Sequence, residues 1–109
     1  MGRFAQHTRL VASPGNADRL ASKFMESVDV QRGNPACELM FVSKSPVDED
    51  IVYLTEVWSS ESEWDEARNH PAIIEWAQDM PSLVAEAPQS VRLDPVGGKG
   101  LTETASSDR

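Results

Sequence analysis

The residues able to do chemistry in this sequence are few: two histidines, three tryptophans and a handful of polar side chains beside them. His70 stands between Asn69 and Pro71, and an imidazole there could hold or move a proton at an oxygen of a bound molecule. Its competing use is to cap the C-terminal end of the helix that Pro71 interrupts. His7 lies in a short stretch with Gln6, Thr8 and Arg9, a polarity that suits either a strand lining a cavity or subunit contact, or an edge strand open to water. Trp58, Trp64 and Trp76 offer flat apolar faces on which an aromatic ring system can pack. The competing use of Trp64 and Trp76 is to fill a small core, whereas the Trp58 indole N–H needs an acceptor that its strand does not obviously supply. The candidate set is therefore His70 and His7 for protons, with Trp58, Trp64, Trp76, Asn69 and Arg9 for contact with a substrate.

Other chemistries lack their residues. The histidines at positions 7 and 70 have no second His or Cys at ligand spacing, so no metal site is expected. GGKG near the C-terminal end follows a strand and opens no helix, and it fails the context test for binding a phosphate or dinucleotide. A serine triad can be assembled on paper, but no nucleophile elbow is present. Cys37, the single cysteine, cannot form an internal disulfide and reads as a small apolar residue in a strand.

The elements that must position these residues follow from periodicity. Residues 51–58, IVYLTEVW, are apolar on both registers, with Ile51, Tyr53, Thr55 and Val57 on one side and Val52, Leu54, Glu56 and Trp58 on the other. A strand with one wet face would alternate, so this sheet is expected to be covered twice. Ser60 and Glu63 have capping-box spacing and start a helix. Pro71 should break that helix at His70, and beyond the break Ile73, Trp76, Ala77 and Met80 share a face. Pro81 is expected to stop it, with SLVAEA adding one more turn.

Upstream, residues 3–12 have strand length. Ser13 to Asn16 are turn chemistry, and Ala17, Leu20, Ala21, Phe24, Met25 and Val28 recur at helical spacing until Gly33. A second strand spans residues 36–45 and a six-residue connection, Ser45 to Asp50, leads back to the central strand. Pro88 introduces a last strand with Val91 and Leu93. The order is strand, helix, strand, strand, helix, strand, which predicts an α+β, ferredoxin-like βαββαβ domain with an antiparallel sheet over residues 1–101. TETASSDR at 102–109 is expected to be a disordered tail.

Charge narrows the partners. The net charge is −8, and residues 48–66 hold eight acids with no Lys or Arg, so the whole imbalance sits there. This speaks against nucleic acid and against an acidic ligand near that stretch. No run of about 18 apolar residues is present to span a membrane. MGRFAQHTRL also lacks the apolar centre of a secretory signal, which predicts a cytoplasmic chain.

The run YLTEVWSSESEWDEARNHPAI, placed after two strands and a helix and followed by a last strand and GGKGL, resembles the antibiotic biosynthesis monooxygenase domain, in its quinol monooxygenase branch. The resemblance covers about residues 3–101, and its most specific pieces are EVW at 56–58, the capped helix after it, and GGKGL. It implies a dimeric α/β-barrel in which ferredoxin-like domains pair through their sheets as a homodimer, supplying the second cover. It also implies oxidation of a polycyclic phenol or hydroquinone by O₂, without metal, flavin or other cofactor, in a pocket between sheet and helices. Ala67 stands where many members carry a His, and His70 follows three positions later. The related haem-degrading branch uses Asn, Trp and His; here Thr8 stands at the Asn position and Ala77 and Gln78 where the His would be, which speaks against haem degradation. A non-catalytic dimeric module that binds a hydrophobic metabolite is the other reading left open.

Overall fold

A computed structural model describes residues 2–101; the expected disordered tail at 102–109 lies outside the described residues. The elements are β1 (Phe4–Val11), α1 (Ala17–Gln31), β2 (Cys37–Lys44), β3 (Ile51–Trp58), α2 (Glu61–Arg68), α3 (Pro71–Trp76), a 3₁₀ segment (Ala77–Ser82) and β4 (Gln89–Leu93). The four strands form one sheet in the order β2-β3-β1-β4, and every neighbouring pair is antiparallel. This is the expected α+β ferredoxin-like arrangement, with β1 and β3 at its centre.

Register decides which side chains share a face, because directly opposed residues in an antiparallel pair point the same way. Phe4, Gln6, Thr8 and Leu10 of β1 oppose Trp58, Glu56, Leu54 and Val52 of β3. These line the face covered by helices, where Leu10, Val52 and Leu54 meet Leu20 and Phe24 of α1, together with Leu83, in the buried core. The other face presents Ala5, His7, Arg9 and Val11 opposite Val57, Thr55, Tyr53 and Ile51, flanked by Leu39 and Phe41 of β2 and Val91 and Leu93 of β4. Phe41 is 45% and Val91 55% exposed there, so the second cover anticipated from β3 is not supplied by the described residues of one chain.

The break at Pro71 is where the sequence places it. Ser60 caps α2 by accepting from the Glu63 amide at 3.2 Å, α2 ends at Arg68, and His70 adopts an extended conformation with φ −67° and ψ 137°. Pro71 then opens α3 as its first helical residue, where its missing N–H costs nothing. Two expectations fail beyond α3. Pro81 does not stop the helical run but sits inside the 3₁₀ segment, whose tighter turns accommodate it. SLVAEA adds no full turn: Ser82 ends the 3₁₀ segment, Leu83 closes it with its amide on the Met80 carbonyl and is buried, and Val84 already bridges to Ala12 as an isolated β-contact.

Candidate active site

Between the helix-covered face of the sheet and the broken helix lies a cavity of about 460 Å³. Its floor is Gln6, Thr8 and Leu10 of β1 with Leu54 and Glu56 of β3, bordered by Met40 and Ser90; its roof is Trp64 and Arg68 of α2, Trp76 of α3, and Met80. Kinking the helix at His70 turns the two indoles toward the same space from either side of the break.

Each indole is fixed by its neighbours. The Trp64 ring packs on Phe4 with centroids 4.6 Å apart, and the Arg68 guanidinium lies over the Trp64 ring at 4.8 Å. The Trp76 Nε1–H donates to the Lys23 carbonyl of α1 at 2.8 Å, and its ring meets Phe24 edge-on at 5.2 Å. Lys23 also lies over the Trp76 ring and pairs with Asp79, and that ion pair holds the exposed Asp79 carboxyl below its usual range. Aromatic walls with a few fixed polar groups are the usual construction of a site for an apolar ligand.

The polar groups are Gln6, the Thr8–Ser90 hydroxyl pair at 2.9 Å, Ser27 of α1, Glu56, and Arg68 at the roof. Glu56 is 5% exposed, and one of its oxygens accepts from the Trp58 indole N–H at 2.9 Å. Burial pushes the Glu56 carboxyl above its ordinary range, opposed by the Trp58 hydrogen bond and by the positive charge of Arg68. Cys37 lies outside the cavity, and its thiol is raised to about 11, first by burial and then by the Glu56 charge, so it stays a thiol near neutral pH.

Of the residues singled out from the sequence, Trp64 and Trp76 line the cavity. Trp58 does not; it is 2% exposed, and its indole N–H finds its acceptor in Glu56. His7 and Arg9 point to the opposite face of the sheet, where the His7 ring stacks on Tyr53 at 5.3 Å and its Nδ1 meets the Thr55 hydroxyl at 3.0 Å. His70 is exposed, and its Nδ1 accepts from the Ala72 amide at 3.1 Å, capping the start of α3 rather than the end of α2. Asn69 caps the end of α2 by donating to the Asp65 carbonyl. Neither histidine reaches the cavity. Glu56, Gln6 and Arg68 do, and sequence reasoning missed them as a group. The available signal was a carboxylate in register with Val52, Leu54 and Trp58, three residues of a buried strand face. Among the described residues, no group of three or more His, Cys, Asp or Glu is placed to hold a metal ion, and no helix is long and apolar enough to cross a membrane.

A sequence profile of the antibiotic biosynthesis monooxygenase family matches residues 3–79. Among solved structures, a Chloroflexus aurantiacus J-10-fl protein provisionally named an antibiotic biosynthesis monooxygenase superposes with a TM-score of 0.81 at 25% identity, covering 92% of this chain and 99% of that one. A Caulobacter crescentus CB15 protein with the same provisional name gives 0.80 at 20% identity over 88% and 92% of the two chains. A third, from Nitrosomonas europaea and likewise provisionally named, gives 0.81 at 10% identity over 88% and 93%, which is agreement of fold alone. No curated protein matches by sequence. With the profile spanning most of the sequence, and with the ferredoxin-like sheet that the resemblance implied, this chain belongs to the antibiotic biosynthesis monooxygenase family.

Proposed function

We propose that this protein is a cofactor-independent monooxygenase that oxidises a polycyclic phenol or hydroquinone with O₂, acting in the cytoplasm as a homodimer. The observation that carries the reading is the cavity of about 460 Å³ walled by Trp64, Trp76, Phe24, Met40 and Met80, a size and lining suited to a flat ring system. Such a substrate does the redox work itself. Once deprotonated, it gives one electron to O₂, the resulting radical and superoxide join as a peroxide at carbon, and loss of water leaves a carbonyl. One oxygen atom ends on the product and the other leaves as water with two hydrogens from the substrate, one from its hydroxyl and one from the oxidised ring carbon, so no outside reductant is needed. The protein's share is to bind, to exclude water and to hold the proton. Dimerisation would cover the apolar outer face of the sheet around Leu39, Phe41, Val91 and Leu93, a patch that a second copy could bury in a standard interface of about 800 Å² per partner.

A second reading, a non-catalytic dimeric module that binds a hydrophobic metabolite, is favoured by the position of the two histidines outside the cavity. Oxygen uptake separates the two. With a panel of anthrones and hydroquinones in metal-free buffer, the enzyme reading expects at least one compound to consume O₂ faster with protein than without. It also expects that rate to survive His70→Ala and to fall about tenfold or more in Trp64→Ala, which removes a cavity wall. If no compound is accelerated, the binding-module reading stands instead.

A further inference from the structure

We infer that Glu56 receives a free hydroxyl of the bound aromatic and takes its proton, so that the cavity selects ring systems carrying such a hydroxyl. The inference rests on reading the cavity as an aromatic site and names the group that recognises the ligand there.

Glu56 lies on a central strand of the sheet, directly opposite Gln6 on one side and Met40 on the other. Its neighbours on the same face of β3 are Val52, Leu54 and Trp58, all buried. A carboxylate in such surroundings is costly unless something compensates it. One oxygen, Oε1, is compensated by the Trp58 indole N–H. A neutral amide would satisfy that N–H equally well, so the Trp58 contact does not account for the charge. Among the described residues no other hydrogen bond to Glu56 is formed, and no enclosed side-chain nitrogen or oxygen lacks a partner. The second oxygen is therefore open to the cavity that Glu56 lines.

The competing polar groups are spoken for or weaker. The hydroxyls of Thr8 and Ser90 bond each other, and Gln6 and Ser27 are neutral. Among the lining residues only Glu56 and Arg68 carry charge, and Arg68 is exposed at the roof, over the Trp64 ring. The other groups around Glu56 are Trp58 on its own strand, Gln6 on β1, Met40 on β2, and the Cys37 thiol, which feels its charge. In the step assigned to Glu56, the substrate O–H bond breaks and a carboxyl O–H forms. The electron pair stays on the substrate oxygen as phenolate, and nothing is oxidised or reduced. A carboxylate made more basic by burial is the better acceptor for this transfer.

The test uses 2-naphthol and its methyl ether, 2-methoxynaphthalene, as probes, with binding read from tryptophan fluorescence between about pH 5 and 8. The wild type should bind the naphthol about tenfold tighter than the ether at the upper end, the size expected when a charge-assisted hydrogen bond is gained or lost. That advantage should shrink as the pH falls and Glu56 protonates. Glu56→Gln, which keeps an oxygen for the Trp58 N–H, should bind both probes alike at every pH. Arg68→Gln removes the charge that favours ionised Glu56, and should move the onset of the advantage to higher pH. Equal binding of both probes by the wild type overturns the inference while leaving the aromatic site intact. An unchanged, pH-dependent preference in Glu56→Gln also overturns it. If neither probe binds the wild type, the aromatic-site reading falls and takes this inference with it.

Discussion

A carboxylate among apolar neighbours leaves a signature in stability as well as in binding. The folded-state pKa of Glu56 is raised, so below the ordinary carboxyl range both folded and unfolded chains hold the proton. As the pH rises through that range the unfolded chain releases its proton first, and stability falls until the folded-state value has been passed. Thermal melts of the wild type should show this loss, and Glu56→Gln should show less of it, leaving the variant relatively more stable near neutral pH than in acid. A pH-stability profile that runs parallel in the two proteins would show that Glu56 is not held in a strained ionisation state. At Trp76 the expectation is structural: Trp76→Ala loses the bond to the Lys23 carbonyl and the contact with Phe24, and should cost about 2–4 kcal/mol in denaturant unfolding. The sequence identifies the tryptophans and histidines by type, but type does not say which way a side chain points. Register does, and in β1 it sends Gln6 and Thr8 to the cavity and His7 and Arg9 away from it. The same register buries Glu56, whose position beside Val52, Leu54 and Trp58 is readable in the sequence once that face is known to be the covered one.

At the scale of elements, local signals were legible where they act locally. The helix cap at Ser60, the extended residue before Pro71 and the helical spacing of Ala17 to Val28 depend on near neighbours, and each appears in the structure. The stretch after Met80 was misread because its conformation is decided by distant partners. Leu83 is drawn into the core and Val84 bridges Ala12, contacts that no window around Pro81 reveals. His70 belongs to this scale too. Its Nδ1 replaces an N-cap side-chain oxygen for the Ala72 amide, so His70→Ala should cost about 0.5–2 kcal/mol of stability, as other lost caps do, and leave turnover within about twofold. Chemical denaturation and a rate assay on the same preparation check both halves of that expectation.

For the molecule as a whole, the apolar character of β3 on both faces agrees with a sheet whose outer face the described residues of one chain do not finish covering. Which surface covers it is a question of association, and the homodimer proposal answers it with a second copy. Light scattering should give a mass near twice 12.0 kDa at micromolar concentration, and Phe41→Glu or Val91→Lys on the outer face should shift it toward the monomer. A stable monomer in the wild type would remove the dimer from the account without touching the cavity. The central claim, that the cavity between sheet and broken helix oxidises a hydroxylated ring system with O₂, is tested most directly by isotope incorporation. An anthrone that the protein consumes is turned over under ¹⁸O₂, alongside a Ser90→Phe variant in which the introduced ring fills the cavity floor beside Thr8. The account predicts one labelled oxygen atom per product molecule, formed faster than in buffer by the wild type and at the buffer rate by the variant. Label entering at the buffer rate with the wild type, or equally fast with the cavity filled, would contradict it.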